Sequence, residues 1–337
     1  MMTTTKKGLA LVIANADYQR QPKLPSCKKD GIDMKQKLEE LNFDVLYATD
    51  ATRTDLYDVI NQFLKIADLY SAILVYYAGH GVQIDGENYF VPVDCTYNPI
   101  KAIFIGTSLV GINTITDYMN DHPEKINIMI LDACRSNPGF SRDIVGTGLA
   151  EVKAGSGTLI AFATSPNKSA YGAETELGNG YYTECLLKHI AQPNTKIEDM
   201  FKKVRKDVAK LTESQQIPWE STSLNSDFYF NIMAKDEIKE KIYYAVRNNY
   251  KAETLINLSE FYEYTVSDIM RIYERQKSEK PGGIYIKEES SFEQLILEHI
   301  LELGFAFVNY RWVYNGKAVK MGDFNHNFDT KVRNANE

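Results

Sequence analysis

The sequence has 337 residues with 44% hydrophobic and 25% charged side chains, a composition typical of a globular protein that buries a sizeable core. Its formal net charge of −7 argues against general nucleic-acid binding, because neutralising phosphates requires a basic surface. Four cysteines without zinc-type spacing, and apolar runs too short for a membrane span, favour a protein of a reducing, cytoplasmic setting with no membrane association.

The chain begins with apolar runs that alternate with amphipathic stretches. Gly8–Ala14 is a continuous apolar run of strand length, and Ser26 is predicted to cap the helix that follows. Phe43–Ala48 predicts a second strand, and helical spacing over Thr54–Tyr70 predicts a second helix. The apolar face of the first helix is predicted to consist of Ile32, Met34, Leu38 and Leu41.

The third strand, Ser71–Tyr77, is predicted to end at a turn over Ala78–Gly81, because glycines allow sharp changes of direction. A hairpin is predicted over Val82–Val93, with its turn at Asp85-Gly86. The next helix is predicted near Ile112–Asn120 and leads into the fourth strand.

The fourth strand, Ile126–Leu131, is almost entirely apolar and is followed at once by Asp132, Ala133, Cys134 and Arg135. This pattern predicts a buried parallel strand with a reactive end, since chemistry in open α/β sheets lies outside the carboxyl ends of the strands. The Ser/Gly/Pro-rich residues after Arg135 predict a long loop, and long loops in compact domains tend to be functional.

A fifth strand, Thr158–Thr164, is followed by helices over Gly180–Ile190 and Lys196–Leu211 and by a final short strand, Asp227–Asn231. The alternation predicts an α/β domain over residues 1–234, with a mostly parallel central sheet flanked by helices on both faces.

A smaller, mainly helical C-terminal module is predicted over residues 235–337. Its predicted elements are four helices and a strand-like aromatic tail: Lys235–Val246, Ala252–Tyr262, Val266–Lys277, Phe292–Leu303 and, as the tail, Phe305–Val313.

Two residues with catalytic chemistry stand at the predicted ends of neighbouring strands. His80 follows strand three and Cys134 follows strand four, so a parallel sheet places both at one edge. An imidazole beside a thiol lowers its pKa or accepts its proton, which yields the nucleophilic thiolate. The backbone N–H groups of Gly81 and Cys134 are candidate oxyanion donors for the tetrahedral intermediate of acyl transfer.

Each residue alone has a simpler interpretation, His80 as a turn residue and Cys134 as a small buried hydrophobe. The pair is more specific. A cysteine with a histidine about 50 residues upstream matches the spacing of a caspase-type nucleophile and base.

Four motifs extend this match beyond the pair: Tyr76-Tyr77-Ala78-Gly79-His80-Gly81, Leu131-Asp132-Ala133-Cys134-Arg135, Ala163-Thr164-Ser165-Pro166 and Gln216-Ile217-Pro218-Trp219. Together they resemble the bacterial caspase-like peptidases of the metacaspase and paracaspase branch, over roughly Lys7–Asn231. The resemblance implies the caspase fold and hydrolysis of peptide bonds through a Cys/His dyad. It also implies cleavage between a larger and a smaller catalytic portion, within the loop after the nucleophile.

The resemblance implies an acidic S1 pocket that selects Arg or Lys. The matching positions are Asp132 and Asp30, whose carboxylates are expected to pair with a buried guanidinium or ammonium. The simpler alternatives are that Asp132 caps the next turn and that Asp30 is surface charge. True caspases instead bind an aspartate side chain with arginines, and the sequence lacks their QAC[RQG]G nucleophile signature.

The segment Ser165-Pro166-Asn167 is expected, by the same resemblance, to line the substrate groove. The sequence departs from the family pattern here, because Asn167, Lys168, Ser169 and Ala170 occupy positions where a third acidic residue can occur. A second departure concerns calcium: Asp94 is kept, but a downstream acidic pair is not apparent in residues 105–109. No metal, no calcium requirement and no cofactor are therefore predicted.

Arg142 and Lys153, in the predicted loop, are candidate self-cleavage sites for an enzyme that prefers basic residues, although solubility is the commoner role of such side chains. The expected partners are a protein or peptide substrate with a basic P1 residue and a regulatory partner at the C-terminal module. A different function remains open, that of a catalytically weak caspase-fold scaffold or sensor acting through that module.

Overall fold

A computed structural model of the chain describes residues 6–84, 86–96, 108–134, 154–165 and 178–233, and three short strands between residues 305 and 318. Of Cys134 and of these three strands, only the backbone is described. The chain divides into two compact units, Met1–Ala191 with Thr195–Asn231 and Gln192–Asn194 with Ile232–Glu337.

In the first unit the described residues form a single sheet with helices around it. Its strands are β1 (Gly8–Ala14), β2 (Phe43–Thr49), β3 (Ala72–Ile84), β4 (Glu87–Phe90), β5 (Val110–Gly111), β6 (Ile126–Cys134), β7 (Thr158–Phe162) and β8 (Trp219–Thr222). Its helices are α1 (Pro25–Glu40), α2 (Arg53–Ala67), α3 (Asn113–Asp121), α4 (Tyr181–Ile190) and α5 (Ile197–Leu211).

The central strand order is β2-β1-β3-β6-β7-β8, with β4 and β5 attached through β3. The pairs from β2 to β7 are all parallel, and β8 runs antiparallel to β7. Parallel strands are usually covered on both faces, and the side chains of β1, β3 and β7 are accordingly buried almost without interruption, whereas those of the edge strand β2 are mostly only partly buried. The mostly parallel α/β sheet predicted from the alternation of elements is confirmed.

Alternate residues of β3 enter two separate cores, because successive side chains of a strand point to opposite faces. Tyr76 packs in the core that contains residues of α1, α4 and α5, whereas Tyr77 packs in the core that contains residues of α2 and α3. Both tyrosines are fully buried. The sheet therefore forms the middle layer of three.

The turn predicted at Ala78–Gly81 is wrong, because β3 continues through these residues to Ile84. The strand pairs with β1 as far as Ala78 and with β6 as far as His80, and then pairs with the antiparallel strand β4 from Gly81 onward. Gly79 satisfies a steric requirement instead of making a turn: a Cβ atom on it would lie 2.7 Å from the hydroxyl oxygens of two tyrosines, Tyr18 and Tyr77.

Two expectations for α1 are also wrong. Ser26 does not cap the helix: Leu24 is the N-cap and Pro25, whose ring pre-sets a helical φ, occupies the first turn. Ile32 is 48% exposed. The buried face of α1 contains Asp30 and Gly31 as well as apolar residues. Apolar spacing alone therefore predicts the wrong residue, Ile32, for this face.

The final strand predicted at Asp227–Asn231 is not formed, since Tyr229 makes only an isolated bridge with Lys196. The last strand of the sheet is instead β8, whose partly exposed residues lack the apolar alternation that marks a half-buried strand.

In the second unit, the described backbone forms a three-stranded antiparallel sheet of β9 (Phe305–Val308), β10 (Arg311–Tyr314) and β11 (Lys317–Ala318). These strands include the aromatic tail that was predicted as strand. The four helices predicted between residues 235 and 303 lie outside the described residues.

Candidate active site

The two predicted catalytic residues lie side by side in the backbone of the sheet. His80 of β3 is paired in register with Cys134, the last residue of β6. Neighbouring strands are about 4.8 Å apart. The sheet therefore brings together two residues that are distant in sequence. Gly81, the second predicted oxyanion donor, follows His80 by one position, where β3 begins to pair with β4.

The imidazole of His80 is held in one tautomer. Its Nε2 lies 2.7 Å from the carbonyl oxygen of Pro22, and because a carbonyl only accepts, Nε2 must carry the proton. Nδ1 is then the basic nitrogen; it is buried, with no hydrogen-bond partner among the described residues. Burial lowers the pKa of His80, against a smaller opposing effect of the Pro22 carbonyl, so the neutral base form is favoured at pH 7.

Asp30 and Asp132, called the acidic pair below, are both anchored to the turn that opens α4. The Oδ1 atom of Asp30 accepts hydrogen bonds from Asn179 Nδ2 at 3.0 Å and from the Gly180 N–H at 2.9 Å. The Oδ2 atom of Asp132 accepts from the Thr183 hydroxyl at 2.6 Å. Two carboxylates from α1 and β6 thus converge at one helix N-terminus, where negative charge is favoured.

Among the residues that the structure describes, no basic side chain compensates the charge of the acidic pair. Asp30 is only 2% exposed, and neither carboxylate forms an ion pair with a basic side chain in the described part of the chain. Burial, and then the charge of Asp132, raise the pKa of Asp30. Burial also raises the pKa of Asp132, although its bonds to Thr183 oppose that rise. Carboxylate repulsion, between one buried and one partly buried side chain, therefore disfavours ionisation of Asp30.

The hydrogen bond from Tyr76 to Thr183, the residue that binds Asp132, was not predicted from the sequence. Tyr76 Oη lies 2.5 Å from Thr183 Oγ1, and because Thr183 donates to Asp132, Tyr76 must donate to Thr183. Tyr76 and Thr183 are both fully buried. Tyr76 begins the motif that contains His80, but Thr183 is 51 residues from Asp132 and carries no sequence signal that would pair them.

The other predicted positions have separate surroundings. Cys27, Cys95 and Cys185 are buried. Asp94 accepts the Arg53 N–H at 2.9 Å, at the start of α2. Ser165 donates to the Ile217 carbonyl at 2.8 Å.

Arg142, Lys153 and the positions 166–170 lie outside the described residues. Within the described segments, no group of three or more His, Cys, Asp or Glu side chains could hold a metal ion. No helix there is long and apolar enough to cross a membrane.

The chain also matches a known protein family. The family model described as "Caspase domain" matches residues 7–229, well over half of the chain. The chain belongs to the caspase-like cysteine peptidases. This match confirms the resemblance to the metacaspase and paracaspase branch that was drawn from the four motifs.

Relatives of this caspase-like chain include human and mouse proteins. Mucosa-associated lymphoid tissue lymphoma translocation protein 1 from Homo sapiens is 27% identical over 214 residues, which are 63% of this chain and 25% of the human protein. The Mus musculus homologue gives the same identity and coverage. Caspase-1 from Rattus norvegicus is 25% identical, over 68% of this chain and 60% of the rat protein. The chain thus spans about a quarter of the length of the first two relatives.

Proposed function

We propose that the protein is a cysteine endopeptidase that cleaves after Arg or Lys, with Cys134 as nucleophile and His80 as base. The observation that carries the proposal is the acidic pair, which lies uncompensated by any cation of the described residues and next to the strands that bear the dyad. Asp132 is two residues before Cys134 on β6, so the two share one strand end.

The dyad chemistry follows from the tautomer of His80. Nδ1 accepts the proton of the Cys134 thiol, while Nε2–H stays hydrogen-bonded to the Pro22 carbonyl and keeps the ring in place. The thiolate sulfur attacks the carbonyl carbon of the scissile bond, and the carbonyl π electrons move to oxygen. The N–H groups of Gly81 and Cys134 stabilise this oxyanion.

The second half of the reaction returns the site to its starting state. Collapse of the tetrahedral intermediate breaks the C–N bond, and the imidazolium gives its proton to the departing amine. A thioester to Cys134 remains. Water, deprotonated by His80, attacks the thioester; the new carboxylic acid leaves and the proton returns to the thiol.

The acidic pair recognises the P1 side chain in this proposal. A guanidinium or ammonium placed between Asp30 and Asp132 replaces carboxylate repulsion with charge-assisted hydrogen bonds. An aspartate side chain at P1 would bring a further negative charge into the same acidic pocket and is therefore rejected.

Self-processing at Arg142 or Lys153 is a corollary of the same preference, because both are basic residues in the segment after the nucleophile. The C-terminal unit is proposed as the place where a regulatory partner binds.

The proposal is tested with a matched set of fluorogenic peptides that differ only at P1: Arg, Lys, citrulline and Asp. Citrulline keeps the shape of arginine and lacks its charge. The wild-type chain is expected to cleave the Arg and Lys peptides, and Cys134→Ala to cleave none. Cleavage of the Asp peptide in preference to Arg would refute the assigned specificity. No cleavage of any peptide by the full-length chain would favour the scaffold or sensor.

A further inference from the structure

The backbone pairing between β3 and β1 ends before it reaches His80. The pairing of β3 with β1 ends at Ala78, opposite Ala14, two residues before His80. The N–H of His80 donates instead to the hydroxyl oxygen of Tyr18, at 2.8 Å. Tyr18 follows β1 in the chain, so a side chain substitutes for the backbone that the ended strand no longer provides.

A second tyrosine binds the other polar group of the same residue. The hydroxyl of Tyr77 donates to the carbonyl oxygen of His80 at 2.6 Å. The hydroxyl oxygens of Tyr18 and Tyr77 are 3.5 Å apart. Because the Tyr77 proton is used on His80, the Tyr18 hydroxyl is the donor in that longer contact. Two short hydrogen bonds therefore join the His80 backbone to Tyr18 and to Tyr77, and a longer contact joins the two hydroxyls.

This closed set of two hydrogen bonds and one longer contact, called the hydroxyl ring below, is shielded from water. Tyr18 and His80 are each 2% exposed and Tyr77 is 0% exposed. The ring of Tyr77 stacks on Phe90 at 4.2 Å between centroids, and the ring of Tyr18 lies against the His80 imidazole at 4.5 Å. Hydrogen bonds in such a dry environment are costly to lose.

The glycine of the motif makes room for the hydroxyl ring. A Cβ atom on Gly79 would lie 2.7 Å from both hydroxyl oxygens, closer than van der Waals contact allows. The hydroxyls therefore occupy the space that a side chain at position 79 would need.

We infer that Tyr18 and Tyr77 are positioning residues for the catalytic histidine, which they hold in register with Cys134 through its backbone. The inference rests on the proposed Cys/His dyad. Neither tyrosine reacts with substrate in this assignment; each acts on the reaction only by restraining His80. The restraint keeps Nε2 on the Pro22 carbonyl and Nδ1 available to the thiol.

The test removes one hydroxyl at a time with Tyr18→Phe and Tyr77→Phe, and both together. Tyr70→Phe is the matched control, because it removes a hydroxyl that donates to Asp44 at 2.7 Å, away from the site. The values of kcat and KM are measured separately with a P1-Arg peptide. The rate at which iodoacetamide alkylates Cys134 is followed against pH by mass spectrometry of the Cys134 peptide.

Each single variant is expected to lower kcat about 10-fold or more and to leave KM within about twofold, since the loss concerns the base and not P1 binding. The double variant is expected to lower kcat further than either single variant, because it removes both hydrogen bonds to the His80 backbone. The midpoint of the alkylation profile is expected to rise by about half a pH unit or more, because a displaced imidazole stabilises the thiolate less well.

A kcat and an alkylation profile indistinguishable from those of Tyr70→Phe would overturn the inference. So would equal losses in kcat and in substrate binding that track a fall in melting temperature, since these mean that the hydroxyls support only the fold. If the wild type cleaves no basic peptide, the proposed function fails. The alkylation profiles still report whether the hydroxyl ring controls the His80–Cys134 pair.

Discussion

Replacing Asp30 with asparagine separates recognition of the P1 cation from support of the fold. Asparagine keeps the size of the side chain and an Oδ1 acceptor for Asn179 and the Gly180 N–H, but it cannot ionise to pair with a bound cation. Activity and stability are then expected to change in opposite directions.

The expected loss of activity follows from the bond that disappears. A charge-assisted hydrogen bond contributes about 1.5–3 kcal/mol, and about 1.4 kcal/mol corresponds to a tenfold change in kcat/KM. Part of this is offset, because the raised pKa of Asp30 means that the wild-type pair must release a proton before it binds a cation. We therefore expect kcat/KM for the P1-Arg peptide to fall about 10- to 30-fold, which is the lower part of the decrease that about 1.5–3 kcal/mol would cause.

The expected gain in stability follows from the same pKa. Burial and the charge of Asp132 raise the pKa of Asp30 from 3.8 to about 8, so the folded protein takes up a proton that the unfolded chain does not hold at pH 7. Asparagine removes this cost. The full shift corresponds to about 4 kcal/mol at pH 7, and the buried amide of asparagine has a desolvation cost of its own. The free energy of unfolding at pH 7 is therefore expected to rise by about 1–3 kcal/mol, which corresponds to about 2–10 °C in melting temperature.

The assay compares P1-Arg and P1-citrulline peptides, together with thermal melts at pH 7. Asp33→Asn is the control on the same helix, since Asp33 is partly exposed and pairs with Lys29 at 2.5 Å. It is expected to leave kcat/KM within about twofold. Equal losses on the Arg and citrulline peptides, or a lower melting temperature for Asp30→Asn, would refute the reasoning, because Asp30 would then serve only to hold the turn before α4.

Three further predictions concern pH, packing and the loop after the nucleophile. Because the pKa of Asp30 is raised to about 8, KM for a P1-Arg peptide is expected to fall as pH rises from about 6 to 9, and Asp30→Asn should flatten that dependence in the same titration. The contribution of this group to stability has the opposite sign: its folded pKa lies above its unfolded value, so stability falls between about pH 4 and pH 8 in melts of the wild type relative to Asp30→Asn. Gly79→Ala is expected to lower both kcat and melting temperature, since the new Cβ meets two hydroxyls at 2.7 Å; full activity and an unchanged melt would contradict that packing. If self-processing activates the enzyme, the double variant Arg142→Ala, Lys153→Ala remains intact on gels and loses activity, whereas an intact chain with wild-type rates shows that cleavage is not required.

Local sequence patterns predicted most of the central strands and helices, because these elements have characteristic hydrophobic periodicities. Apolar runs such as Gly8–Ala14 and Ile126–Leu131 became central strands, and helical spacing located α2 and α5 within a few residues. The predictions were wrong where the role of a residue depends on a contact with a residue distant in sequence. Gly79 was interpreted as a turn residue because nothing near it in sequence indicates the approach of the Tyr18 hydroxyl.

The sequence by itself determined which residues could carry the chemistry: a histidine and a cysteine about 50 residues apart, and two aspartates matched by family resemblance. Tertiary structure decided how they are grouped. Asp30 meets Gly180 across 150 residues and His80 meets Pro22 across 58 residues, and in each pair one partner is a backbone group. Backbone N–H and C=O groups are the same in every residue except proline, which lacks the N–H, so their choice of partner is set by the packing of α1, α4 and the sheet and cannot be seen in the order of side chains.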